Sequence, residues 1–178
     1  MVKAEQTVVD ELVGNAHGNL ARVKELLEAN PQLLNAPATW QETAIQAATQ
    51  MGNRPIIDFL VAKGAPVDFF TGLVLGRVDG VTAENADARG MHDLPALYFA
   101  AIGGHLDVAQ RLLAAGADVN ARAEAAAPIH GAVIGKNVGM VKLLLDRGAN
   151  PALKDYAGRD ARELALAIDR PDIAELCA

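Results

Sequence analysis

The chain has 178 residues, a net charge of −6 and 51% apolar residues, with aromatics at only 4%. That length supports one domain or one short array with a sizeable core, and burial carried by Ala, Leu and Val suits closely packed helices better than sheets. An acidic chain without a Lys/Arg cluster argues against a nucleic-acid surface, since neutralising phosphates takes clustered cations.

Cys177 is the only cysteine, so an intrachain disulfide and a thiolate metal cluster are excluded. The start carries Lys3, Glu5 and Gln6 rather than an apolar signal core, and no window reaches the ~20 apolar residues of a membrane span. A reducing, cytoplasmic setting is therefore expected.

In chain order, helices are expected in pairs. Gly18-Asn19 followed by Val23 and Leu26-Leu27 marks the second helix of a first pair. An Ala-rich stretch, Thr43–Ala48, gives a short first helix, and Asn53 with Pro55 opens its partner. There Ile56, Ile57, Phe59 and Leu60 share one face until Gly64-Ala65. Pro95–Ala101 begins another pair, in which His105 opens the second helix, Val108, Leu112 and Leu113 form its apolar side, and Gly116-Ala117 closes it. Ala127–Val133, Asn137, Met140-Val141, Leu143–Leu145 and Gly148-Ala149 repeat the phrase, and Leu164-Ala165 with Asp169-Arg170-Pro171 ends it. Asn at the start of a helix caps an orphan amide, Pro is tolerated in a first turn, and Gly just past the end accepts the positive φ that closes a helix. Gly52-Asn53, Gly104-His105 and Lys136-Asn137 each precede their Gly-Ala pair by the same fixed offset, which is the mark of an internal repeat.

These residues resemble the ankyrin repeat. Gly104-His105-Leu106-Asp107-Val108 through Leu112-Leu113-Ala114-Ala115-Gly116-Ala117-Asp118-Val119-Asn120 follows that family's pattern almost residue for residue, and Pro128-Ile129-His130 with Gly148-Ala149-Asn150 is nearly as close. The resemblance implies an all-α ankyrin-repeat solenoid of helix-turn-helix units with short hairpin fingers, in a single domain with units at about 3–36, 37–68, 69–90, 91–123, 124–156 and a cap at 157–178. The third unit departs from the pattern. No finger precedes it, and only a short or irregular second helix, around Val78 to Glu84, fits among Gly76, Gly80 and Gly90.

The resemblance further implies a scaffold that binds another protein through a concave groove and its fingers, as a monomer or weak homo-oligomer, with no cofactor, metal, nucleic acid or membrane. Family position makes Trp40, Glu42, Met51, Arg89, His92, Asp93, Tyr98, Ile102, Glu124, Ile134 and Tyr156 the partner-binding candidates, with His17, Gln50 and Asp155 beside them. Trp40 either meets a partner or packs over the Pro31–Pro37 loop, and Tyr98, at a helix start, favours packing. His130 stands where the family carries a structural histidine that bonds backbone between units. No catalytic residue is assigned, since the four histidines fall on different units without metal-ligand spacing. The competing reading is a small-molecule site or cofactor-independent enzyme in which Arg89, His92, Asp93, Tyr98 and His130 converge on one deep pocket.

Overall fold

The computed structural model describes residues 3–123 and 126–178. It divides into two compact units, Met1–Thr71 and Gly72–Ala178. Among the described residues the regular structure consists of eleven α-helices, two 3₁₀ turns and one isolated antiparallel bridge between Arg89 and Pro95.

In the first unit α1 (Lys3–Asn15) pairs with α2 (Leu20–Ala29), and α3 (Ala44–Gln50) pairs with α4 (Arg54–Ala62). First helix packs on first helix and second on second, so the two pairs lie flank to flank. Ile56, Ile57 and Leu60 are fully buried on the apolar side of α4, each worth about 1.5–3 kcal/mol of transfer free energy. A short helix, α5 (Phe69–Val74), straddles the boundary between the units.

The second unit holds α6 (Ala96–Gly103), α7 (Leu106–Ala114), α8 (Pro128–Ile134), α9 (Val138–Asp146), α10 (Ala161–Ala167) and α11 (Pro171–Leu176). Here α6, α8 and α10 form one row and α7, α9 and α11 the other. The first row is built from small residues, and its backbones approach closely. A Cβ on Gly131 would stand 2.8 Å from the Tyr98 carbonyl oxygen, and one on Gly135 would stand 2.5 Å from that of Ile102.

The caps follow the sequence phrase. Asn19, Asn53 and Asn137 accept hydrogen bonds from the backbone amides of Arg22, Ile56 and Met140 at 3.2, 3.3 and 2.8 Å. Gly64, Gly116 and Gly148 take φ of 99, 105 and 87°, the left-handed conformation expected where each second helix closes. His105 departs from expectation. Its side chain makes no cap bond; instead its Nε2 lies 3.0 Å from the Val74 carbonyl, joining α7 to the end of α5.

The third repeat expected from the sequence, at 69–90, forms no second helix where a short or irregular one is expected: residues 78–84 are turn and loop. Asn85 explains why. Its Oδ1 accepts from the Thr82 amide at 2.9 Å and its Nδ2 donates to the Gly80 carbonyl at 2.7 Å, so side-chain bonds satisfy backbone that a helix would otherwise pair. No finger precedes the unit, as the sequence implied, and Asp68 bonds the Thr71 amide directly at 2.8 Å.

The missing helix leaves one stripe of α7 uncovered. Asp107 and Arg111, with Val78 and Asp79, line an open depression of about 480 Å³. Arg111, Ala114 and Ala115, with residues 81–83, line a second of about 210 Å³. The matching positions of the next second helix are Gly139 and Leu143, and a Cβ on Gly139 would stand 3.6 Å from the Leu106 side chain of α7. Where a neighbouring helix covers the stripe the chain uses Gly and Leu; where none does, it uses Asp and Arg.

Candidate functional site

Each finger is closed by a pair of backbone bonds. Ala38 N–H donates to Glu42 C=O at 2.8 Å, Gly90 to Leu94 at 2.9 Å and Asp155 to Arg159 at 2.8 Å. Inside each loop a second bond closes the turn: Gln41 to Ala38 at 2.9 Å, Asp93 to Gly90 at 3.1 Å and Gly158 to Asp155 at 2.9 Å. The third tip residue has positive φ in all three, 67° at Gln41, 58° at Asp93 and 75° at Gly158, and His92 adds a φ of 55°. Non-glycine residues in that region carry strain of about 1–3 kcal/mol, so the surrounding hairpin holds these tips in place.

In the first unit the structure brings four candidates together. The indole N–H of Trp40 donates to Glu42 Oε2 at 3.0 Å, the same oxygen lies 3.8 Å from His17 Nε2, and His17 Nε2 lies 2.8 Å from Gln50 Nε2. His17 Nδ1 sits 3.1 Å from the Gly14 carbonyl, to which it donates. Trp40 remains 47% exposed while Glu42 beneath it is 1% exposed. The finger itself is anchored by Asp10 of α1, whose two oxygens accept from the Thr39 amide and hydroxyl at 2.8 and 3.1 Å. Hydrogen bonds from the Gln6 side chain and from Thr39 hold the Asp10 carboxyl below its ordinary range, against a smaller opposing push from desolvation. Met51, at the end of α3, is exposed.

In the second unit Tyr156 stands 80% exposed beside a buried Asp155. Asp155 accepts from the Ala157 and Arg159 amides, both at 2.9 Å, and from the Arg159 guanidinium at 3.0 Å. Burial pushes its carboxyl up, but the Arg159 and Ala157 hydrogen bonds together outweigh that and leave it below the usual range. Arg89 is exposed, yet its Nη1 donates to the Asp93 and Arg122 carbonyls at 3.1 and 3.2 Å, and Arg122 reaches Lys154 C=O at 3.4 Å. These guanidinium groups tie successive fingers together. His92 and Asp93 are exposed at the tip, Ile134 is half-buried, and Glu124 lies outside the described residues.

Three candidates need correction. Glu42, Tyr98 and Ile102 are at most 5% exposed and present no surface to a partner. Glu42 is roofed by Trp40, and Tyr98 and Ile102 face the next helix, where Gly131 and Gly135 let the backbones close. The convergence required by the competing reading is also missing. His130 is fully buried with both ring nitrogens engaged: Nδ1 accepts from the Ala127 amide and Nε2 donates to the Leu153 carbonyl, both at 3.0 Å. Burial lowers its pKa despite opposing hydrogen bonds, and burial pushes the Tyr98 phenol up. Both side chains are buried, and neither lines the two open depressions beside α7. Cys177 is buried as expected, with its thiol pushed up by burial and by Asp160. Among the described residues no cluster of His, Cys, Asp or Glu could hold a metal, and no helix is long and apolar enough to cross a membrane.

Sequence reading missed Asp10, which reaches the finger from 29 residues away. It also missed Asn120, whose side chain donates to Gly148 C=O at 3.0 Å and accepts from the Asn150 amide at 2.7 Å.

Paired helices stacked flank to flank, with hairpin fingers at their bases, define a helical repeat protein. Residues 78–155 match the family model for ankyrin repeats, three copies, and the chain belongs to the ankyrin-repeat family. It is 31% identical over 162 residues to an ankyrin repeat-containing protein of Treponema pallidum, covering 89% of this chain and 47% of that protein. It is 30% identical over 130 residues to an ankyrin repeat protein of Rickettsia felis, covering 72% and 49%. It is also 30% identical over 125 residues to human BCL-6 corepressor-like protein 1, covering 70% of this chain and 6% of that protein. The chain thus spans about half the length of the two bacterial relatives and a small part of the human one.

Proposed function

We propose that the chain is a protein-binding module that meets its partner through the finger tips and the adjoining ends of the first helices. Ankyrin repeats generally serve protein–protein interaction, and the ankyrin match supports the reading at that level. One observation carries it to particular residues: Trp40 is half exposed, yet its N–H is fixed by a buried carboxylate. Water would solvate a free indole N–H at no structural cost, whereas an aromatic ring already held in one pose loses little entropy on binding and makes a good hot spot. Tyr156, above Asp155, is the second-unit counterpart. Of the remaining candidates, Met51 adds to the first-unit surface, His92, Asp93 and Ile134 add to the second-unit one, and Arg89 shapes the latter.

The test is capture by the immobilised chain from cells that make it, followed by calorimetry with the purified captured protein. Trp40→Ala should raise Kd about tenfold or more, while lowering stability by no more than about 1.5 kcal/mol, the scale of one hydrogen bond. Unchanged affinity in both Trp40→Ala and Tyr156→Ala would remove the finger tips from the interface.

A further inference from the structure

The Trp40 platform is biased toward one kind of ligand. An aromatic ring carries negative potential on its face and positive potential at its edge, and the indole N–H is the most positive point of that edge. In this chain the N–H is consumed by the Glu42 carboxylate at 3.0 Å, so the edge is neutralised and the face made more negative. Because Glu42 is 1% exposed, its charge is weakly hydrated and acts on the ring through a medium of low dielectric. A second carboxylate, Asp10, anchors the same finger through Thr39, and the whole chain carries a net charge of −6. The unit already stacks cations on an aromatic ring elsewhere: the ammonium groups of Lys24 and Lys63 lie 5.6 and 5.7 Å from the centre of Phe59.

We propose that the exposed face of Trp40 receives an arginine or lysine side chain of the partner protein, stacked as a cation on the ring beside the Glu42 carboxylate. This rests on the protein-binding reading above and adds the chemistry of the group received. An apolar contact gains only from the fixed pose of the ring, whereas a cation gains from both the ring face and the carboxylate. Arginine fits best, because its planar guanidinium can lie parallel to the indole.

The probe is N-acetyl-arginine amide, with N-acetyl-citrulline amide as the neutral isostere. Trp40 is the only tryptophan, so its indole N–H resonance and its fluorescence report the site without assignment. The cationic amide should shift the indole resonance saturably and bind about two- to fivefold tighter than the neutral one, the factor of an exposed cation–π contact. Glu42→Gln, checked for an unchanged melting curve, should reduce that preference at least twofold; if Glu42→Gln unfolds the unit, the wild-type ratio alone decides. Equal response to the two amides, or no saturable response to either, overturns the proposal. If a captured partner still loses affinity on Trp40→Ala while the amides bind alike, the binding reading stands and the cationic specificity falls.

Discussion

Gly135 lies at the end of α8 with φ of −68°, a conformation any residue adopts, so nothing in its own backbone requires glycine. The requirement comes from α6: a Cβ here would sit 2.5 Å from the Ile102 carbonyl oxygen and 3.1 Å from its carbon, whereas real Cβ contacts essentially never fall under 3.0 Å. Gly135→Ala therefore forces two packed helices apart by roughly half an ångström or more, and both contacting atoms are backbone that no rotamer can move aside. Overpacking of this kind costs about 1–3 kcal/mol, and the loss of unfolded-state entropy on replacing Gly returns about 0.4–1 kcal/mol. The net destabilisation is up to about 2.6 kcal/mol, with a midpoint of about 1.3 kcal/mol that for a chain of this size lowers Tm by about 3–5 °C. Thermal melting by far-UV circular dichroism measures it. A Tm equal to or above wild type would refute the claim that backbone contact, rather than chance, places glycine there.

Gly14→Ala is the opposite case: a Cβ inside α1 meets nothing within 4 Å, so improved helix propensity should stabilise by about 0.5–1 kcal/mol in the same assay. Leu144→Ala empties a fully buried site on α9 and should cost about 2–5 kcal/mol by denaturant titration. His130 supplies a pH signature. Its folded pKa lies below the ordinary 6.5, so the unfolded chain takes up the proton first as pH falls. Its contribution to stability is full above about pH 6.5 and is lost as pH drops toward the folded value. Asp155 and Asp160, lowered from 3.8, act only below about pH 4, outside that window. Denaturant midpoints across this range should therefore show a decline in the wild type that His130→Gln lacks.

The repeat was legible because its signals are local and periodic. The glycines at 64, 116 and 148 announced positive φ, Asn53 and Asn137 announced caps, and the apolar face of each second helix fixed which residues are buried. Other features depend on contacts between distant residues and left no such mark. Asp10 bonds Thr39 with no periodic relation between them, and the burial of Glu42 follows from the direction in which Trp40 folds. Ile102 reads as accessible from family position and Tyr98 stands among the candidates although packing is favoured for it, yet a contrary signal existed. Gly131 and Gly135, one helical turn apart in the next first helix, lie against the Tyr98 and Ile102 carbonyls and mark the face where that helix comes close. Val78–Glu84 carried enough glycine to predict a weak helix, but only the bonding of Asn85 shows why none forms.

Three fingers close through main-chain bonds that do not depend on which side chains occupy the first two tip positions. Substitutions at 40, 91 and 156–157 can therefore alter what the molecule recognises while the loop closure is kept. Such tips are natural sites for drift toward new partners and for grafting chosen specificities by design.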